Sequence, residues 1–155
     1  VDIEEVATSL KRTGPLTVDS RCDTDVTVVS AFPGMKPDIM DAIIDIGSKA
    51  IMLRGFGEGN LPLNGWPQAI HRAQNAGVHV LVASQCRMGS SRPGRYAGSD
   101  SAEDAGAMFI GDMTGEAAVV KAMCLLGRGL KGDTFRSAFL NPIAGELTLG
   151  SAGHL

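Results

Sequence analysis

Ala50-Ile-Met-Leu-Arg-Gly-Phe-Gly-Glu-Gly-Asn-Leu-Pro62 is the stretch on which the fold turns. Four apolar residues run together, then an arginine and a glycine-rich loop follow. A short run that is apolar at every position, rather than at every second one, reads as a strand buried on both faces, as in a parallel sheet. Similar runs occur elsewhere: Val26-Thr-Val-Val-Ser-Ala31 is β-branched, Val78-His-Val-Leu-Val-Ala83 is nearly all apolar, and Ala107-Met-Phe-Ile110 is shorter.

Between these runs the spacing becomes helical. Pro37 suits the first turn of a helix, Ile39, Met40, Ile43 and Ile44 follow at helical intervals, and Gly47 is placed as its stop. A second helix is expected over about residues 65–76, with Trp66, Ala69, Ile70 and Ala73 on one face. Residues 84–99 read as a polar loop. Asp112-Met-Thr114 opens the longest helix, over 115–126, with Glu116 near its positive end and Gly127 closing it. A last helix covers about 133–139, and Asn141-Pro142 breaks it. Strands alternating with helices predict a small doubly wound, three-layer α/β domain of Rossmann-like or flavodoxin-like type with about four parallel strands. Residues 1–25 read as a linker leading into it, and 26–155 as the domain.

The 155 residues suit one domain, and at this length about 70% of the unfolded chain's surface can be buried, so no disulfide or metal is needed to hold a core. Hydrophobic residues at 44% and charged residues at 20% are too apolar a mixture for disorder. The net charge of −3 argues against a nucleic-acid partner; the densest basic group is Arg87, Arg92 and Arg95. No apolar run reaches the roughly 18 residues of a membrane span, and the first residues lack the order of a secretory leader. Cys22, Cys86 and Cys124 cannot all pair and match no metal spacing, so a cytoplasmic location is expected. The chain begins at Val1 rather than Met, which reads as a segment of a longer polypeptide.

In a sheet of this kind ligands favour the loops at the carboxyl ends of the strands, near a topological switch point. Residues 30–36, 54–62 and 84–99 occupy such positions. The glycines of 54–60 allow either close backbone packing or close approach to a ligand. Arg54 can hold a carboxylate by two parallel hydrogen bonds, and Glu58 can receive an ammonium group, so the loop reads as an α-amino-acid clamp. Its spacing is not that of a dinucleotide-binding turn. Cys86 follows a buried strand and is either an inert thiol or a ligand-facing one. His79 reads as structural, His71 as solvated and His154 as part of a tail. No nucleophile is followed by a recognisable base and orienting partner, and the three histidines have no ligand spacing.

Taken together, several motifs resemble the C-terminal domain of cytosolic-type (type I) L-asparaginases. They are Phe32-Pro-Gly-Met35, the 50–62 stretch, Ser84-Gln-Cys-Arg-Met-Gly89, Tyr96-Ala-Gly98, Gly111-Asp-Met-Thr-Gly-Glu-Ala-Ala118 with Lys121, and Gly145-Glu-Leu-Thr148. They occur in the family's order across about residues 26–148. The resemblance implies an amidohydrolase that converts asparagine and water to aspartate and ammonia without metal or cofactor. Its catalytic threonines and Asp–Lys pair would lie in an N-terminal domain whose motifs are not found here, so this chain is expected to be inactive alone.

The partners so implied are that N-terminal catalytic domain, L-asparagine or L-aspartate, and further copies in a homo-oligomer such as a homodimer. Glu58, Asn60 and Tyr96 match positions near the substrate site. Arg54, Ser84, Gln85 and Cys86 match an effector pocket for asparagine. The arginine-rich stretch 87–95 departs from the family pattern. Three alternatives remain: a regulatory amino-acid-binding module, an oligomerisation domain with no ligand of its own, and the asparaginase-like subunit of glutamyl-tRNA amidotransferase.

Overall fold

Alternate side chains of a strand point to opposite faces, so a strand apolar throughout needs cover on both sides. The computed structural model describes residues 15, 17–86 and 89–148. It contains one sheet of four strands: β1 (Val26–Ser30), β2 (Ala50–Gly55), β3 (His79–Ser84) and β4 (Met108–Phe109). They lie in the order β1-β2-β3-β4, all parallel, with Val28 opposite Met52 and Leu81 opposite Met108. The expectations for residues 1–14, Arg87 and His154 lie outside the described residues.

Among the described residues five helices cover this sheet: α1 (Ile39–Asp45), α2 (Trp66–Asn75), α3 (Ala97–Asp104), α4 (Gly115–Gly127) and α5 (Gly132–Phe139). Ile51 and Leu53 of β2, with Val80 and Val82 of β3, pack against Met40 and Ile43 of α1, Trp66, Ile70 and Ala73 of α2, and Ala102 of α3. The intervening Ala50, Met52, Leu81 and Ala83 meet Ala118, Ala122 and Leu125 of α4, and Phe135 and Phe139 of α5. Crossovers of one hand stepping one way along a sheet place their helices on one face, which accounts for α1 to α3. The chain after β4 covers the other face. The result is the expected three-layer α/β domain. The strand order runs without reversal, however, so this sheet has no switch point; the site has to be built at the strand ends by other means.

Three local features differ from expectation. The 84–99 loop gives way to α3, whose buried residues are only Gly98, Ser99 and Ala102. These small side chains make no apolar stripe, which left the helix invisible. Gly98 is required there because a Cβ would collide with the Leu61 carbonyl oxygen. Helix α4 continues through Gly127, and the left-handed residue that follows it is Gly129, at φ 80°. Gly127 instead makes room for the backbone of Arg21 and Cys22. His79 is structural as expected: it is buried, its ring stacked 3.9 Å from that of Phe135.

Beyond α5 the chain is held by a buried charge. Lys121 on α4 is 6% exposed, and its Nζ lies 2.6 Å from Glu146 Oε1 and donates to the Asn141 carbonyl at 2.7 Å. Glu146 also accepts from the backbone N–H groups of Ile143 (3.0 Å) and Ala144 (2.7 Å). Burial alone would raise the Glu146 pKa, but the Lys121 and backbone hydrogen bonds outweigh it and bring it down to about 2. Because the folded-state value is depressed, the stabilisation is full above the ordinary value of 4.5 and is lost as pH falls toward 2. Lys121→Met strands one member of the pair and should cost roughly 3–5 kcal/mol. Urea unfolding at neutral pH measures that loss, and a pH series in the wild type should show stability declining below about pH 4.5.

Candidate functional site

The corner after β2 is set by backbone contacts. Phe56 N–H donates to the Asn60 carbonyl at 2.9 Å and Asn60 N–H returns a bond to the Phe56 carbonyl at 2.8 Å. This narrow loop folds back on the strand end, where a Cβ on Gly55 would meet the Gly59 carbonyl carbon at 2.7 Å. Gly59 itself sits at φ 94° against Val82, Ser91 and Phe109. Both glycines are therefore explained by space and backbone conformation before any ligand is considered.

The end of β3 locks this corner in place. Ser84 Oγ donates to the Gly57 carbonyl at 2.5 Å and accepts from the Cys86 N–H at 2.8 Å. Gln85 Nε2 donates to the carbonyls of Ala31 (2.6 Å) and Arg54 (2.8 Å), joining the ends of β1, β2 and β3. The Gln85 amide group is thus committed to the scaffold.

Arg54, Ser84 and Cys86 come together on the wall of one cavity of about 630 Å³. Asp112, Thr114 and Glu116 line it from the loop before α4 and that helix's first turn, while Val28, Met52 and Val119 add apolar surface. Gln85 is not on its wall. The α4 N-terminus is formed by Thr114, whose Oγ1 accepts from Ala117 N–H at 3.2 Å. Asp112 Oδ1 accepts from the Thr148 N–H at 2.9 Å, so the segment anchored by Lys121 and Glu146 also supports this wall. A guanidinium and two carboxylates on one cavity suit a zwitterion, with its carboxylate near Arg54 and its ammonium near Asp112 or Glu116. The fold supplies this cavity through the turn from β4 into α4 rather than through a switch point.

Glu58 lies elsewhere. Its Oε2 is 3.0 Å from Arg92 Nε, and its Oε1 is bonded by Arg95 Nη1. Hydrogen bonding by Arg92, with further help from Arg95, outweighs desolvation and lowers the Glu58 pKa. The Arg92 N–H also donates to the Glu58 carbonyl at 3.0 Å. The arginine-rich stretch therefore supplies resident cations to the carboxylate that the sequence offers to a ligand ammonium. Charge complementarity was the available signal for this pairing, but residues 34 and 37 positions apart cannot be matched by spacing alone.

Asn60 and Tyr96 share a shallower cleft of about 450 Å³ with Leu61, Pro62 and Gly98. Among the described residues, Asn60 Oδ1 is a buried acceptor without a hydrogen-bond partner. Such a group costs about 1–3 kcal/mol. Tyr96 is 45% exposed and precedes α3, its carbonyl accepting from Ser99 Oγ at 2.7 Å. His71, read as solvated, is exposed on α2 and meets Asn75 Nδ2 at 3.1 Å.

A three-layer parallel α/β domain with a bipolar cavity at its strand ends is the class these features define. Residues 25–139 match the model of the glutaminase/asparaginase C-terminal domain, and the chain belongs to that family. It is 33% identical over 136 residues to L-asparaginase 1 of Escherichia coli K12, covering 87% of this chain and 40% of that protein. It is 34% identical over 135 residues to a glutamyl-tRNA(Gln) amidotransferase subunit from Pyrococcus furiosus, covering 87% and 31% respectively. The crystal structure of L-asparaginase I from Vibrio cholerae O1 biovar eltor superposes with a TM-score of 0.83 at 29% identity, over 90% of this chain and 42% of that one. The chain thus spans about two fifths or less of the length of these relatives. Identity does not separate the asparaginase from the amidotransferase component. No described helix is long and apolar enough to cross a membrane.

The assignment of Arg92 and Arg95 is open to a direct check. Carbon-13 NMR titration should find the Glu58 carboxyl below its ordinary value of 4.5, and the Arg92→Ala, Arg95→Ala double variant should raise it.

Proposed function

We propose that this chain is the C-terminal half of an L-asparaginase: it completes the substrate site and joins subunits, while a separate N-terminal domain carries the catalytic threonines. The reaction is hydrolysis of the asparagine side-chain amide to aspartate and ammonia. The observation that carries this reading is the hydrogen-bonded 54–60 corner, which holds Glu58 at its tip against Arg92 and Arg95, within a domain of this family. Glu58, with Asn60 and Tyr96 beyond it, faces the N-terminal domain or a neighbouring copy in a homo-oligomer, and an incoming ammonium group competes with Arg92 and Arg95 for its carboxylate.

A second reading has its own observation. Arg54, Ser84 and Cys86, from the ends of two strands, converge on one cavity opposite Asp112 and Glu116. That convergence favours an effector pocket for L-asparagine or L-aspartate, in which Arg54 takes the α-carboxylate and an acidic group takes the ammonium. Gln85 shapes this pocket from behind, through its bonds to the Ala31 and Arg54 carbonyls.

Both readings are testable on the same preparation. Ammonia release from asparagine should be absent with the chain alone and should appear when the N-terminal portion of E. coli L-asparaginase 1 is co-expressed with it. Hydrolysis by the isolated chain would contradict the first reading. For the second, titration calorimetry should detect aspartate binding that Arg54→Ala weakens by about 10-fold or more, the loss expected for a charge-assisted hydrogen bond. An unchanged affinity would remove Arg54 from the pocket.

A further inference from the structure

Three contacts lay the segment before β1 along α4. Asp19 Oδ2 pairs with Arg128 Nε at 3.2 Å, and Asp23 N–H donates to the Met123 carbonyl at 3.0 Å. Between them the backbone crosses Gly127 so closely that a Cβ there would lie 2.6 Å from Cys22 N and 2.7 Å from its Cα. Cys124 precedes Gly127 by three residues and Arg128 by four, so all three share one face of α4. A helical side chain leans toward the N-terminus, and the space Gly127 leaves open therefore lies over the turn that holds Cys124.

Cys22 thus sits above the turn of Cys124. Standard backbone dimensions across the Asp23–Met123 hydrogen bond keep the two Cα atoms within roughly 8 Å, and a disulfide takes about 4.4–6.8 Å. Residues 17–25 have no regular secondary structure, so the remaining adjustment falls on an irregular segment. Cys22 is exposed and Cys124 half-buried.

We propose that Cys22 and Cys124 form a reversible thiol–disulfide site that fastens the segment before β1 to α4. The oxidant is a small-molecule disulfide. The exposed Cys22 thiolate attacks one sulfur of that disulfide; its S–S bond breaks, a mixed disulfide forms and one small thiolate leaves. The Cys124 thiolate then attacks the Cys22 sulfur, the protein disulfide forms and a second small thiolate leaves. Two protein thiols are oxidised, one small disulfide is reduced to two thiols, and the two cysteine protons pass to the departing thiolates. Because the segment leads directly into β1, oxidation restricts how whatever precedes it moves relative to α4, whose N-terminal end lines the main cavity. Cys86 lies on that cavity, at the carboxyl ends of the strands, and takes no part.

The test uses the 155-residue chain and oxidised glutathione, followed by alkylation and a non-reducing tryptic mass map. The expected result is loss of the Cys22 and Cys124 thiols together and a joined peptide lighter by two hydrogens. Dithiothreitol should reverse it, and Cys22→Ser should abolish it. Cys124→Ser should halt the reaction at the glutathione adduct on Cys22. Glutathione accumulating on Cys22 of the wild type while Cys124 stays alkylatable would overturn the proposal. Cross-links between the Cys22 thiols of two chains would do the same. Amide exchange at Asp23 supplies a readout that needs no variant: it slows on oxidation if the segment is fastened, and an unchanged rate in the oxidised chain contradicts the fastening.

Discussion

Gly55 and Gly59 touch where no side chain fits between them, and the candidate site depends on that contact. A Cβ on Gly55 would lie 2.7 Å from the Gly59 carbonyl carbon, so only glycine lets the chain leaving β2 close into this corner. The corner is then bolted to the end of β3 by Ser84 and to the ends of β1 and β2 by Gln85. Arg54 precedes the corner and lies on the large cavity, whereas Glu58 sits at its tip, bound by Arg92 and Arg95. Two oppositely charged groups four residues apart in sequence are thereby assigned to different surfaces. The amino-acid clamp they suggest when read side by side is divided. Arg54 instead shares its cavity with Asp112 and Glu116, brought there by the turn from β4 into α4.

The layers of the fold were legible because burial leaves a one-dimensional trace. Ile51, Met52 and Leu53 alternate between the two cores, which is why residues 50–53 of β2 are all apolar. Trp66, Ala69, Ile70 and Ala73 form the buried stripe of α2 at helical spacing. Helix α3 left no such trace, since its contact with the Leu61 backbone and the Asn60 side chain requires Gly98 and its other buried residues are Ser99 and Ala102. Gly127 was misleading for the opposite reason. A glycine near the end of a helix suggests a stop, but this one accommodates another segment of backbone, and the stop falls at Gly129.

The site was legible residue by residue more than as an arrangement. Arg54, Ser84 and Cys86 do converge, while Gln85 supports them from the scaffold. Asp112, Thr114 and Glu116 read locally as the start of a helix, and only the parallel sheet brings that helix start beside Arg54. The link from the Lys121–Glu146 pair through Thr148 to Asp112 is also beyond sequence reading, since it joins α4 to a segment that follows α5. Family membership adds a scale to this picture, because the chain accounts for about two fifths or less of its relatives' length.

On the proposed reading one corner serves two surfaces, Glu58 turned toward a catalytic domain and Arg54 toward a ligand cavity. Two-dimensional amide NMR of the chain, titrated separately with L-aspartate and with an asparaginase N-terminal domain, tests it most directly. Aspartate should shift Ser84, Cys86 and residues 112–116, and the N-terminal domain should shift Glu58, Asn60 and Tyr96. Aspartate shifts confined to Glu58, Arg92 and Arg95, with the cavity residues unmoved, would contradict the account.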